Sequence, residues 1–202
     1  MDMALFPFFV NIKEKEGLII GTGKHAQEKI ERLKPFGPKL RVIPEGEFSE
    51  KDLESIPAFV IVAGEDAEEN HRIARICREK RILVNVVDDQ EYCDFIFPSL
   101  IREGNLSIGI CTGGASPATG VLLKQRFQEE IPSNMEEILD FLQRVRPVIS
   151  EALTDKKQRY TFYYRLSEIC MAENRGLTEE EFRRQLLWHV QSAKKNLQES
   201  KD

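Results

Sequence analysis

The sequence is poor in the features that mark several protein classes. None of its four cysteines, Cys77, Cys93, Cys111 and Cys170, forms a C-x-x-C pair. That spacing argues against a zinc site, and in a reducing compartment these residues are expected to be free, packing thiols. There are only three histidines, His25, His71 and His189, and nothing in their spacing links them as metal ligands, so no metal site is assigned. No apolar run approaches the ~18 residues a membrane span requires. The start, Met1 to Phe9, has neither a basic region nor a small-residue cleavage site, so a cytoplasmic protein without membrane association is expected. The net charge of −5 shows no excess of basic residues, which argues against nucleic acid as a partner. No repeat or low-complexity segment is visible.

What is present is an alternation of strand and helix signals. Segments of strand character occur at Phe8–Ile12, Gly17–Ile20, Lys39–Ile43, Ala58–Ala63, Ile82–Val87 and Leu106–Cys111. Helical patterns lie between them, from Lys24 to Pro35 and over 67–80, the latter with Ile73, Ala74 and Ile76 on its inner side. His71 falls on the polar side of that helix and reads as exposed. This rhythm predicts an α/β fold, a Rossmann-like doubly wound parallel sheet.

After Cys111-Thr112-Gly113-Gly114 the strand signals stop. Ser116-Pro117 has the residues of a helix start. Ser133 and Glu136 are spaced as a capping box, ahead of Met135, Ile138, Leu139, Leu142 and Val145 at helical spacing; Pro147 is expected to kink or end that helix. Thr178 and Glu181 form a second box, with Leu177 and Phe182 as a hydrophobic staple. The tail from Gln191 is polar and expected to fray. The expected organisation is a dinucleotide-binding domain over 1–113, a helical dimerisation region over 114–150 and a small C-terminal helical region over 151–202. The broad apolar face of the second region needs a partner surface, for which a second subunit is favoured over the α/β domain.

Two stretches carry chemistry. The first is Gly21-Thr22-Gly23-Lys24-His25-Ala26, a G-x-G-x-x-A turn between strand and helix. Gly21 permits the tight turn, Gly23 lets a pyrophosphate approach the backbone, and Ala26 allows close helix–sheet packing. The alternative is a tight turn with no ligand. Glu45, just after Pro44 and past the next strand, is placed to accept hydrogen bonds from a ribose diol and to repel the extra phosphate of NADP; it could equally be a solvated loop residue. The second stretch is Asn85-Val86-Val87-Asp88-Asp89, in which a buried run stops at carboxylates. A strand-end carboxylate either performs chemistry or caps the next turn. Asp89 and Asp94 are expected to cap or solvate.

Together these pieces resemble the precorrin-2 dehydrogenase family, which is also the N-terminal module of sirohaem synthases and occurs fused or bifunctional with a ferrochelatase. The resemblance rests on Phe6-Pro7-Phe8-Phe9, G-T-G-K-H-A at 21–26, and Val62-Ala63-Gly64-Glu65-Asp66 with Asn70 following. It rests further on N-V-V-D-D with F-I-F-P at 85–98, and on Cys111-Thr112-Gly113-Gly114-Ala115-Ser116-Pro117. It covers roughly residues 4–145.

The resemblance implies an NAD-dependent oxidoreductase that converts precorrin-2 to sirohydrochlorin on the route to sirohaem, acting as a homodimer. It implies that Asp88 is the general base. NAD would be held by Gly21, Thr22, Gly23, Lys24, His25, Pro44, Glu45, Ala63 and Gly64. The tetrapyrrole carries many carboxylates, and Thr112, Gly113, Gly114 and Ser116 would form an anion-binding turn for them; Arg102, Lys124 and Arg126 would add charge or equally be plain surface. Ferrous ion would be a second substrate if the chain is also a chelatase. Thr22 and His25 depart from the family's usual glycine turn, and Gly64-Glu65 departs from its usual residues after the central strand. The rival from another class is a non-catalytic, NAD-sensing regulatory domain, which would explain the glycine turn but not Asp88.

Overall fold

A computed structural model describes residues 5–199, with side chains described through Ser192. Two compact units meet between Phe97 and Pro98. Strand structure ends later, at Ile110, close to the change expected near residue 113.

The first unit contains strands β1 (Glu16–Ile20), β2 (Lys39–Ile43), β3 (Phe59–Val62) and β4 (Leu83–Val86). They form one sheet in the order β2-β1-β3-β4, every neighbouring pair parallel. Helix α1 (Lys24–Leu33) connects β1 to β2, and α2 (Ala67–Glu79) connects β3 to β4. Side chains alternate across a strand, so each strand supplies both faces. Leu18, Ile20, Val60, Val62, Val84 and Val86 pack with Ile73, Ala74 and Cys77 of α2. Ile19, Phe59 and Ile61 pack with Ala26, Ile30 and Leu33 of α1. Helices therefore cover both faces, which is why β3 is apolar throughout and β1 carries no polar side chain after Glu16. The strand order reverses between β1 and β3, and a sheet wound this way opens a crevice at the carboxyl ends of those strands.

The segment Phe8–Ile12 is not a strand. Phe8, Phe9 and Val10 are exposed, so the apolar run there does not enter the sheet.

The second unit begins with a hairpin, β5 (Ser99–Glu103) paired antiparallel to β6 (Leu106–Ile110). Sequence analysis placed β6 in the parallel sheet and missed β5; in the structure these two strands form their own sheet. The turn is Gly104-Asn105, with Gly104 at φ +55°, the first-position glycine of a tight hairpin turn. Helices α3 (Pro117–Glu130), α4 (Met135–Ala152), α5 (Lys156–Glu173) and α6 (Glu179–Glu199) follow. α6 runs past Gln191, where fraying is expected, to Glu199; the last three residues of that tail lie outside the described residues.

Met135, Ile138, Phe141, Val145 and Ile149 of α4 form a core with Phe162, Leu166 and Cys170 of α5 and with Leu177 and Phe182, and Leu139 and Leu142 pack at its margin. The apolar face of α4 is thus covered within its own unit. The expectation that this face needs a second subunit is corrected on that ground. Two further details differ. Ser133 does not cap α4, because Asn134 occupies that position and Ser133 Oγ accepts a bond from Asn174 Nδ2 at 2.8 Å. Pro147 does not end α4, which continues to Ala152 with Val145 and Ile149 buried on either side of it. The Thr178–Glu181 box forms as expected, with Thr178 N donating to Glu181 Oε2 at 2.8 Å and Glu181 N donating to Thr178 Oγ1 at 3.3 Å. No described helix is long and apolar enough to cross a membrane.

Candidate cofactor and catalytic site

The carboxyl edge of the parallel sheet gathers most of the predicted residues of the first unit. Its ladder continues one residue past β1, β3 and β4. Gly21 N donates to Ile43 O at 2.8 Å, Ala63 N to Ile20 O at 2.8 Å, and Val87 N to Val62 O at 2.9 Å. The glycine turn, the Pro44-Glu45 segment, Ala63-Gly64 and Asp88 therefore all leave the sheet along one rim.

Gly21 and Gly23 serve that rim differently. Gly21 has φ +114°, and a Cβ there would lie 2.6 Å from Ala63 O. Only glycine fits both the backbone and the space. Gly23 has an ordinary extended conformation, is the N-cap of α1, and would meet nothing within 4 Å if it carried a Cβ. No side chain caps α1 and no acidic residue lies in its first turn. Its first amides have no partner within the helix, and the helix dipole favours an anion there. The arrangement suits a pyrophosphate. Thr22, Lys24 and His25 are exposed. Lys24 Nζ is 3.9 Å and His25 Nδ1 3.8 Å from the Glu28 carboxylate, so their side chains follow the helix and what they offer the rim is backbone N–H.

Glu45 is not a loose loop residue. Its Oε1 accepts bonds from the amides of Glu65 and Asp66, the latter at 3.1 Å. A Cβ on Gly64 would stand 3.0 Å from that oxygen and 2.8 Å from Asn70 Oδ1. Asn70 is buried and donates from Nδ2 to Gly64 O at 2.8 Å. The loop after β3 is thus held from one side by Glu45 and from the other by Asn70. Sequence reasoning noted Asn70 only as part of a motif; its spacing, one helical turn past the Asp66 cap, was the available signal.

Asp88 is exposed and has φ +60°. Asp89 accepts a bond from Glu91 N at 3.2 Å, capping a short 3-10 turn at Gln90–Tyr92 as expected. Its other oxygen lies 2.7 Å from His71 Nε2. The imidazole of His71 stacks on Tyr92, ring centroids 3.8 Å apart. The reading of His71 as merely exposed is therefore corrected: α2 turns it toward the loop after β4. Cys93 Sγ accepts from Val86 N and lies within reach of Asp89 O, each at 3.2 Å. Burial pushes its thiol above the ordinary value, so it stays protonated and can donate. Asp94 accepts from Val84 N at 3.1 Å and pairs with Arg78 at 3.0 Å. Lys29 of α1 lies 4.5 Å from the Phe97 ring centroid; burial and then neighbouring Arg32 lower its pKa, while the Asp88 carboxylate acts the other way.

The turn from Thr112 to Ser116 belongs to the second unit. Gly113 and Gly114 have φ +62° and +83°. Thr112 Oγ1 accepts from Ser116 N at 3.3 Å, Thr112 O accepts from Ala115 N at 3.1 Å, and Gly113 N donates to Cys111 Sγ at 3.2 Å. Ser116 Oγ caps α3 by accepting from Thr119 N at 3.2 Å. Several of the turn's polar groups are therefore engaged with one another. Lys124 is half-buried and Arg126 exposed. Among the described residues no group of three histidines, cysteines or carboxylates could hold a metal ion.

The fold and the rim define a Rossmann-type α/β domain built to take a dinucleotide, and a family model described as putative NAD(P)-binding matches residues 8–99. Three relatives are sirohaem synthases. That of Nitrosococcus oceani is 28% identical, over 89% of this chain and 42% of its own length. That of Photorhabdus laumondii is 31% identical over 80% of this chain and 38% of its own, and that of Methylobacillus flagellatus 27% identical over 96% and 46%. This chain thus spans less than half the length of these relatives. Among solved structures, SirC, described as a precorrin-2 dehydrogenase, superposes with a TM-score of 0.59 over 93% of this chain and 100% of its own, at 20% identity. The chain is thus similar to the precorrin-2 dehydrogenases and to the matching part of sirohaem synthases, as its motifs are.

Proposed function

We propose that this chain is an NAD-dependent dehydrogenase that oxidises precorrin-2 to sirohydrochlorin. The observation that carries the reading is the convergence of the uncapped, glycine-started α1, the anchored Glu45 and the exposed Asp88 on one rim of the sheet. The overall change removes a hydride and a proton from the substrate, and the nicotinamide of a bound NAD supplies the hydride acceptor. The chain's own residues do the rest. The amides at the start of α1 bind the pyrophosphate. Glu45, with Oε1 held by two amides, presents its other oxygen to the ribose hydroxyls and opposes a phosphate there. Asp88, at the strand end where open α/β sheets meet their ligands, takes the proton. Gly23, Ala63 and Gly64 keep the rim free of side-chain bulk.

The proposal extends to the second unit. The turn of Thr112, Gly113, Gly114 and Ser116, just ahead of α3, receives substrate carboxylates. The protein works as a homodimer in the cytoplasm, with α3 as the contact: Val121, Leu122 and Phe127 are exposed on it, and Gly120 is its one buried residue. Ferrous ion would be a substrate of a second, chelating step.

Anaerobic incubation with precorrin-2 and NAD, followed by the sirohydrochlorin spectrum, tests the dehydrogenase reading, and later addition of ferrous ion tests chelation. Cofactor binding without turnover would mark a regulatory domain instead. Sedimentation of Phe127→Asp beside the wild type tests the dimer.

A further inference from the structure

The backbone at Asp88 is held in a conformation it would not choose. Asp89 N reaches Val86 O at 3.4 Å, closing a four-residue turn in which Asp88 is third, with φ +60°. That position favours glycine or asparagine. A residue kept in the left-handed region needs surroundings that over-determine it.

Those surroundings converge on the next residue, Asp89. Its side chain is gripped at both oxygens: Oδ1 accepts from Glu91 N at 3.2 Å, and Oδ2 meets His71 Nε2 at 2.7 Å. Its carbonyl lies 3.2 Å from Cys93 Sγ. His71 is itself braced, since its ring lies flat on Tyr92 with an interplanar angle of 7°. The pair is largely shielded, with side chains 21% and 33% exposed. One helix away, then, a histidine fixes the residue that sets how Asp88 leaves the strand.

We infer that His71 is a positioning residue: through Asp89 it holds the turn that aims the Asp88 carboxylate. The inference rests on the reading of Asp88 as the base. His71 does not touch the reacting atoms. Its contribution is to keep Asp88 from swinging off the line of proton transfer, and a misplacement of about 1 Å can cost up to ~10²-fold in rate.

The test uses the full chain in single-turnover oxidation of precorrin-2 with saturating NAD. His71→Phe keeps the ring on Tyr92 and removes the nitrogen; His71→Gln keeps a donor. His71→Phe is expected to lower the rate about ten- to a hundredfold while KM and NAD affinity stay within about twofold, and His71→Gln is expected to recover most of the loss. In an Asp88→Asn background, His71→Phe should add less than about twofold, because the two act as one unit. Asp89→Asn, which weakens the same link from its other end, should match His71→Phe and serves if that variant does not fold. A His71→Phe rate equal to wild type while Asp88→Asn is slow overturns the role of His71 alone. So does an equal loss from His71→Phe in both backgrounds. An undiminished Asp88→Asn overturns the reading of Asp88, and the inference with it.

Discussion

The two units store their apolar residues in different ways. In the first, two central strands are buried along their length, and the polar residues of interest sit where those strands stop. In the second, α4, α5 and α6 share a core, while α3 buries a single glycine and leaves Val121, Leu122 and Phe127 exposed. A two-faced sheet satisfies its own strands and frees its carboxyl edge for ligands. A helix outside a core must find other cover. Chemistry is therefore expected to answer to changes in the first unit, and assembly and pH response to changes in the second.

The largest effect should come from Asp88→Asn. A positioned base contributes about 10²–10⁴-fold in rate, and the amide suits the left-handed turn, so turnover should fall on that scale while the fold and NAD binding survive. Circular dichroism, NAD titration and turnover on one preparation check all three. Normal turnover would separate Asp88 from the chemistry.

Next come the two glycines of the nucleotide turn, which should fail differently. Gly21→Ala meets both a φ of +114° and the Ala63 carbonyl, so it should cost at least about 1–3 kcal/mol in urea unfolding. Gly23→Ala has open space and should leave the unfolding midpoint nearly unchanged while weakening NAD binding. Equal losses of stability would erase the distinction drawn between them.

A smaller change is expected at Glu45. Wild type should bind NAD more tightly than NADP, and Glu45→Gln should narrow that preference by roughly tenfold, about the 1.4 kcal/mol of one modest charge interaction. Titration of both cofactors decides it. Equal binding of the two by wild type would remove Glu45 from the ribose.

The smallest effect belongs to the second unit. His189 packs against Phe162, and its Nε2 is buried without a hydrogen-bond partner. Burial lowers its pKa, nearby Arg165 adds to this, and a hydrogen bond with the Gln158 backbone opposes it. The folded state therefore binds this proton less readily than the unfolded chain. The stability it contributes is present above the ordinary histidine value of about 6.5 and is lost as pH falls below it. Urea midpoints at acidic and neutral pH should differ in wild type, and differ less in His189→Leu. An unchanged difference would clear His189.

Much of this organisation was legible in local pattern. β2 was read with its observed ends, and β3, β4 and β6 within a residue or so; for β3 and β4 the reason is that a buried strand is a short apolar run bounded by breakers. The Thr178–Glu181 box was legible because both partners lie within one helical turn. The failures share a cause. Phe8–Ile12 has strand composition but pairs with nothing, and a strand needs a neighbour that composition does not name. Ser133 had the spacing of a cap, but Asn174, 41 residues on, claimed its hydroxyl.

The candidate site divides along the same line. Sequence alone determined which residue types stand at the strand ends: the glycines of the turn, Glu45 after β2 and Asp88 after β4. Those are properties of short segments, set by steric freedom and by the period of the strand before them. Only the tertiary structure decided what holds them. The amides of Glu65 and Asp66 fix Glu45 from 20 and 21 residues away, and His71 meets Asp89 across 18. Such pairs depend on where α2 lies on the sheet, which is set by the burial of Ile73, Ala74 and Cys77 on its other face rather than by the polar residues themselves.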